Sequence, residues 1–209
     1  MNFDSYAKTW DNEDMVNRSK VIAEKIKNII SCKENATAME FGCATGLISF
    51  NLVDNFKKIV LIDSSSKMID VLNEKIAYSK NTNMKPILMD LTKESYNSEK
   101  FDVIYTSMAL HHIKDTKKII TDLYNLLNDD GLLCIVELDK EDGSFHSNDV
   151  GFDGHNGFEH SEIIGIFMEV GLVNVGDETF CNINKIMNKN TLSEKTVEYS
   201  IFYVLGKKQ

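Results

Sequence analysis

Apolar positions recur along this chain in two alternating rhythms. From Met15 to Ile30 they fall at Met15, Val16, Val21, Ile22, Ile26, Ile29 and Ile30, a mostly helical spacing. Thr37–Phe41 then reads as a short strand running into a glycine turn, and Leu47–Phe56 as a helix. Ile59–Ile62 is a continuous apolar run, the mark of a strand buried on both faces. Ser66–Ser79 predicts an amphipathic helix with Met68, Val71, Leu72 and Ile76 inward and Ser64, Ser65 or Ser66 as its cap. Pro86–Met89 predicts a strand with proline near its start, where a missing donor does least harm. The link Leu91–Lys100 is short for a crossover helix. A strand over Phe101–Thr106, a helix over Thr116–Leu127, a turn at Asn128–Gly131 and a strand over Leu132–Leu138 follow. Ser161–Val170 predicts a last helix closed by Gly171. Val173–Val175 and Tyr199–Leu205 then read as an antiparallel pair at one edge.

Strands alternating with helices imply a parallel sheet covered on both faces, an α/β fold. Asp139–Glu159 breaks the rhythm, with four glycines, three further aspartates and two histidines and no period. A loop this long inside a compact domain is usually functional or mobile. It follows a strand's carboxyl end, the side on which open α/β sheets bind ligands.

Composition narrows the function classes. The 209 residues fit one domain. Thirty-two acidic residues against 23 basic ones, a net charge of −9, argue against a nucleic-acid partner, which needs a basic face. Arg18 is the sole arginine, so bidentate clamping of phosphate is scarce. No apolar run approaches the roughly 18 residues of a membrane span, and the polar, acidic Met1–Asp14 is not a signal peptide. Cys32, Cys43, Cys134 and Cys181 lack metal or disulfide spacing and read as reduced thiols of a cytoplasmic protein.

The densest chemical signal is Glu40-Phe41-Gly42-Cys43-Ala44-Thr45-Gly46, between the first strand and the next helix. Small residues there let backbone approach a ligand. Asp63 ends the second strand, where a carboxylate can accept bonds from both hydroxyls of a ribose. A nicotinamide dinucleotide and S-adenosylmethionine both suit that pair of features. Leu47 stands where a dinucleotide fingerprint places its third glycine. Glu40 puts negative charge at the turn, unhelpful for a pyrophosphate but favourable for an ammonium. Asp90 ends the third strand, where an adenine amino group can be read.

Five segments in order, EFGCATG at Glu40–Gly46, LIDSSSKMI at Leu61–Ile69, MDL at Met89–Leu91, FDVIYTSMALHHI at Phe101–Ile113 and LNDDGLLCIVE at Leu127–Glu137, resemble the class I S-adenosylmethionine-dependent methyltransferases, especially the small bacterial UbiE-like type. Ala44 departs from the family's middle glycine. The resemblance implies a Rossmann-like, doubly wound seven-stranded sheet, order 3-2-1-4-5-7-6 with strand 7 antiparallel. It implies that the Gly42–Gly46 turn, with Ala44, holds the methionine part, that Asp63 holds the ribose, that Ser64 and Met68 flank the adenine, and that Asp90 and Leu91 meet its edge. Ser107 and Met108 would line the floor near the sulfonium. Residues 1–35 would form a helical lid segment in which Tyr6 and Trp10 fold over the cofactor, and residues 139–160 an acceptor-side loop.

Several of these residues also have a purely structural reading: Asp63 as a helix cap, Asp90 as a turn former, Met68 as core, and Tyr6 with Trp10 as a pin for a short helix. His112, His146 and His155 are the candidate general bases, because imidazole titrates near neutral pH. His111 and His112 stand together, and at least one of the two also reads as a group that satisfies buried backbone. His146, His155 and His160 with Asp149 and Asp153 match no metal-ligand spacing, so no metal is expected. The sequence reading is therefore methyl transfer from S-adenosylmethionine to a small-molecule acceptor, giving S-adenosylhomocysteine. A non-catalytic cofactor-binding module for interaction or sensing is the alternative.

Overall fold

The computed structural model describes residues 3–30, 35–149, 151–187 and 194–209; Cys32 lies outside the described residues. Two single 3₁₀ turns, Phe3–Ser5 and Ala7–Thr9, precede helix α1, Glu13–Ile29. Then follow β1 (Thr37–Phe41), α2 (Leu47–Leu52, prolonged by a 3₁₀ turn over Val53–Asn55), β2 (Lys58–Asp63), α3 (Ser66–Ser79) and β3 (Met84–Leu88). After these come β4 (Phe101–Ser107), a 3₁₀ turn over Leu110–His112, α4 (Thr116–Asn125), β5 (Leu127–Leu138), α5 (His160–Val170), β6 (Leu172–Met187) and β7 (Lys195–Lys208).

The helices begin where the side chains can stop them fraying. Asn12 accepts from the Met15 amide to cap α1, Ser65 from Met68 for α3, and Asp115 from Lys118 for α4. Glu159 and Glu162 make a reciprocal capping box on α5, which ends on left-handed Gly171.

The strands form one sheet, order β3-β2-β1-β4-β5-β7-β6. Pairing is parallel from β3 to β5, and β7 is antiparallel to both β5 and β6. Alternate residues of the central strands feed two cores. Ile59 and Leu61 pack with α1, α2 and α3, whereas Val60 and Ile62 pack on the side of α4 and α5. That is why β2 reads as an unbroken apolar run. No helix spans the link after β3; Leu91 and Tyr96 plug that side of the core instead. The sheet order is as the resemblance implies, and the capping serine of α3 and the missing crossover helix are as the sequence pattern implies.

Two expectations need correction. Asn128–Gly131 is no turn outside the sheet but a bulge inside β5: Phe101 pairs with Leu127 and Val103 with Leu132, and the slack is taken up around left-handed Asp130. The edge pair is also far longer than Val173–Val175 and Tyr199–Leu205. Its register runs from Leu172 opposite Lys208 to Met187 opposite Lys195. β5 ends at Leu138 opposite Ile201, so the far half of the hairpin projects past the carboxyl end of the sheet. Its residues alternate between exposed and half-buried, so the strand shows in the ladder and not in an apolar pattern.

Candidate functional site

The site lies at the carboxyl ends of β1, β2, β4 and β5. Chain leaving β1 turns through three left-handed residues, Gly42 (φ +71°), Ala44 (φ +46°) and Gly46 (φ +78°). The carbonyl of Ile62 accepts from the Gly42 and Cys43 amides and ties the turn to β2. A Cβ on Gly42 would sit 2.6 Å from Ala109 Cβ. Packing against the chain after β4 therefore leaves no room for a side chain at this position.

Asp63 is the clasp of this turn. Its Oδ2 accepts from the Ala44 amide at 2.8 Å and its Oδ1 from the Ser65 amide at 2.8 Å. Burial raises its pKa, outweighing the backbone hydrogen bonds that pull it down. Ser65, not Asp63, caps α3, and Asp63 holds that capping residue through its amide. Ser64 stays exposed and Met68 is buried, as its core reading has it.

Beneath the turn, Glu40 is 3% exposed. Its Oε2 accepts from Ser49 Oγ, and that hydroxyl also meets Tyr105 OH at 2.6 Å. Burial pushes the Glu40 carboxyl up to about 8 against the pull of Ser49. The carboxyl is therefore largely protonated at neutral pH, not the fixed negative charge that the sequence suggests.

A strap covers this side. Asp4 Oδ1 accepts from Ser65 Oγ at 2.6 Å and from the Lys67 amide at 3.2 Å. Asp11 accepts from Thr45 Oγ1 and, at 2.6 Å, from Lys75 Nζ. Phe3 sets its ring edge-on to His112 at 5.0 Å and to Trp10 at 6.2 Å. The expected Tyr6–Trp10 pairing gives way to Phe3–Trp10, and Tyr6 is 44% exposed. Asp4 and Asp11 do the pinning, two residues that sequence reasoning missed.

Asp90 bonds its own turn, with its side chain 25% exposed. Its Oδ1 accepts from the Thr92 amide and hydroxyl and its Oδ2 from Lys93 Nζ at 2.6 Å. These bonds to residues two and three places on are those that its turn-forming reading calls for. Leu91 turns into the core. Ser107 closes β4, and Met108 follows in a left-handed conformation (φ +54°), uncommon for a residue with Cβ and a mark of local strain.

On the other side, the 139–160 loop folds back onto the sheet. The amides of Phe158, Lys140 and Glu141 donate to the carbonyls of Leu138, Phe158 and Asn156, and the His155 amide donates to the His111 carbonyl. Gly154 passes so close to that carbonyl that a Cβ would lie 2.1 Å from it. Phe145 packs edge-on to Tyr199 of the projecting hairpin at 5.0 Å, and Ser144 Oγ bonds Tyr199 OH at 2.7 Å.

The loop brings His146 against His111 and His112. Ring centroids lie 4.1 Å apart for His111 and His112, 5.0 Å for His111 and His146, and 5.2 Å for His112 and His146. Phe152 stacks on His146 at 3.9 Å. His111 Nδ1 lies 2.7 Å from Glu137 Oε2; Glu137 also accepts from the amides of Leu110, His111 and Leu138. Burial alone would raise the Glu137 pKa, but His111 and these amides bring it below the ordinary value. Burial, helped by the other two imidazoles, drives His112 down to about 2, and burial lowers His146 despite Asp149.

A family model described as a methyltransferase domain matches residues 16–175. The chain belongs to the methyltransferase-domain family. This methyltransferase domain is 33% identical over 156 residues to an uncharacterized methyltransferase of Schizosaccharomyces pombe, covering 68% of this chain and 55% of the relative. It is 34% identical over 137 residues to malonyl-(acyl-carrier protein) O-methyltransferase 1 of Ilyobacter polytropus, covering 64% and 49%. The chain thus spans about half the length of these curated relatives. It shares its fold with phosphoethanolamine N-methyltransferase 2 of Haemonchus contortus, solved with phosphomonomethylethanolamine and S-adenosylhomocysteine. The TM-score is 0.74 at 15% identity, over 99% of this chain and 56% of that one.

In the methyltransferase domain the candidate bases divide. His112 and His146 meet, but His155 does not join them. Its Nε2 lies 3.0 Å from the Ile113 carbonyl and its ring packs on Phe158, which makes it a strut for the loop. His160 lies elsewhere, between Asp139 at 2.7 Å and Asp177 at 2.6 Å, and Asp153 pairs with Lys114. The group His146, His155, His160, Asp149 and Asp153 is therefore not one site. Glu137 was legible in principle: one carboxylate inside the apolar run Leu132–Leu138 must be paired when buried.

Proposed function

We propose that this chain transfers a methyl group from S-adenosylmethionine to a small acceptor and releases S-adenosylhomocysteine. The observation that carries the reading is one constellation: a left-handed turn at 42–46, the Asp63 carboxylate clasping it, the Glu40 carboxyl below it and a strap at 3–11 above it. Family membership supports it, as does the S-adenosylhomocysteine held by the Haemonchus contortus enzyme.

In this reading Gly42, Ala44 and Gly46 receive the methionine part, with Glu40 giving up its proton as the ligand's ammonium arrives. Asp63 exchanges a backbone partner for the ribose. Ser64 flanks the adenine, and Met68 supports that wall from within. Asp90 and Leu91 shape it through the turn they build. Ser107 and Met108 face the reacting carbon, and Trp10 with Phe3 closes the strap. When bound, S-adenosylmethionine supplies a methyl carbon on a cationic sulfur, so the acceptor's lone pair displaces a neutral thioether. The protein's task is to hold the acceptor in line and to let its proton leave. His112 and His146 stand on the side where the proton departs. The acidic surface and the absence of a long apolar helix among the described residues fit a small acceptor and a protein that works in the cytoplasm.

Calorimetry with S-adenosylhomocysteine tests the cofactor half. Micromolar binding is expected, weakened about tenfold to a thousandfold in Asp63→Ala, since charge-assisted bonds contribute roughly 1.5–3 kcal/mol each. Asp90→Asn should bind as wild type. Unchanged affinity in Asp63→Ala removes that residue from the ligand. Transfer of labelled methyl from S-adenosylmethionine to the small-molecule fraction of a cell extract tests catalysis. Binding without transfer to any component would favour the non-catalytic module.

A further inference from the structure

We propose that His111, His112 and His146 form a binding site for a divalent transition-metal ion, of the kind zinc represents, at the acceptor side of the cleft. One ring nitrogen of each lies within 4.8 Å of the others. Three imidazole nitrogens on a tetrahedral zinc ion at about 2.0–2.1 Å stand about 3.3 Å apart, so closure needs movements of about 1 Å or less per ring.

Orientation argues more strongly than proximity. His111 turns Nδ1 to Glu137 and His146 turns Nδ1 to Asp149, each at 2.7 Å. Both rings thereby direct Nε2 away from a carboxylate, with the lone pair on that atom once Nδ1 carries the proton. A carboxylate behind a histidine is the usual support of a metal-bound imidazole, because it fixes the tautomer and makes the ligand more basic. His146 Nε2 is buried and has no hydrogen-bond partner, in a side chain 5% exposed. A buried nitrogen left unpaired costs free energy unless something occupies its lone pair.

The buried Glu137 and the Asp149 carboxylate offset a doubly charged ion. Two cations stand nearby: Lys185 donates to the Phe145 carbonyl, and Arg18 interacts electrostatically with Glu137. Phe145 and Phe152 pack edge-on and stacked against His146 and keep the site dry on that side. His112 also lines a cavity of about 330 Å³ between Thr92 and α4. All-nitrogen donors select zinc, copper, iron or nickel over magnesium and calcium, which take oxygen. Three ligands leave a fourth position open. If the methyl-transfer reading holds, that position suits an acceptor oxygen, whose proton the ion would loosen. The ion site itself does not depend on that reading.

Zinc titrated calorimetrically into the chelator-treated full chain tests the proposal. One ion per chain is expected, bound with submicromolar affinity. His112→Ala and His146→Ala should each weaken it by about a hundredfold or more, and Asp149→Asn by about 10–100-fold. His160→Ala, which removes an imidazole between two other carboxylates, should leave it intact. Circular dichroism establishes that each variant is folded, and Asp149→Asn keeps the test open if a histidine variant is not. Absence of zinc binding, or wild-type affinity in the folded His112 and His146 variants, overturns the site. S-adenosylhomocysteine binding is measured on the same stripped protein; if it persists where zinc fails, the ion site alone is lost.

Discussion

Ser49→Ala isolates the polar network under the glycine turn. Ser49 is fully buried, and its hydroxyl donates to Glu40 while meeting Tyr105 OH at 2.6 Å. The substitution leaves the helix and the Ser49 amide, which also bonds Glu40, in place. Tyr105 OH then stands in a core position without that partner, a cost of about 1–3 kcal/mol, and Glu40 loses one bond of about 1 kcal/mol. The expected loss is thus about 2–4 kcal/mol. In a chain of this size that lowers Tm by about 4–16 °C, at 2–4 °C per kcal/mol. Urea unfolding should show the midpoint shift without a change in slope. Tyr105→Phe in the Ser49→Ala background removes the stranded hydroxyl, so the double variant should cost about 1 kcal/mol or more less than the two single losses summed. The pH dependence has a definite sign. Glu40 holds its proton up to about 8 in the folded protein and to about 4.3 when unfolded, so its contribution is fully present below the unfolded value and is lost as pH rises to about 8. Because the Ser49 hydroxyl favours the charged carboxylate, its loss should cost more above pH 8 than at pH 6. A Ser49→Ala protein within 0.5 kcal/mol of wild type, or strictly additive single losses, would refute the network.

Ala44 carries a Cβ at φ +46°, so Ala44→Gly should stabilise by about 0.5–1 kcal/mol, whereas a fall in the urea midpoint would show the strain to be absent. Asp11→Ala cuts the strap from Thr45 and Lys75, and hydrogen exchange over residues 3–12 should quicken about tenfold or more; unchanged exchange would mean that other contacts hold it. Burial works against charging His160, but Asp177 and Asp139 outweigh it and raise its pKa. Its contribution to stability should therefore be complete below about pH 6.5 and fade as pH rises through the folded value. An NMR titration midpoint at or below 6.5 would contradict this, and Asp139→Asn should move the midpoint down.

The parallel strands, the cap of α3 and the turn at 42–46 were legible in the chain because each is written in local chemistry, whereas the strand order was implied only by the family resemblance. An apolar run with period-two burial is a strand wherever it sits, and residues 59–62 face two cores at once. Ser65 caps α3 through a bond three residues away, and the small residues at 42–46 turn the chain within five. Which distant side chains meet is set by the folded chain. Asp4 reaches Ser65, Asp11 reaches Thr45 and Lys75, and His146 reaches His111 and His112 across chain separations that leave no periodic trace. Long β6 and β7 were illegible for the same reason: their exposed polar residues are held by a ladder of backbone bonds, and which backbone pairs with which is set by the path of the whole chain. The division among the histidines follows too. All five belong to one residue type with one intrinsic pKa, and only their neighbours make His155 a strut, His160 an ion-pair partner and the other three a cluster.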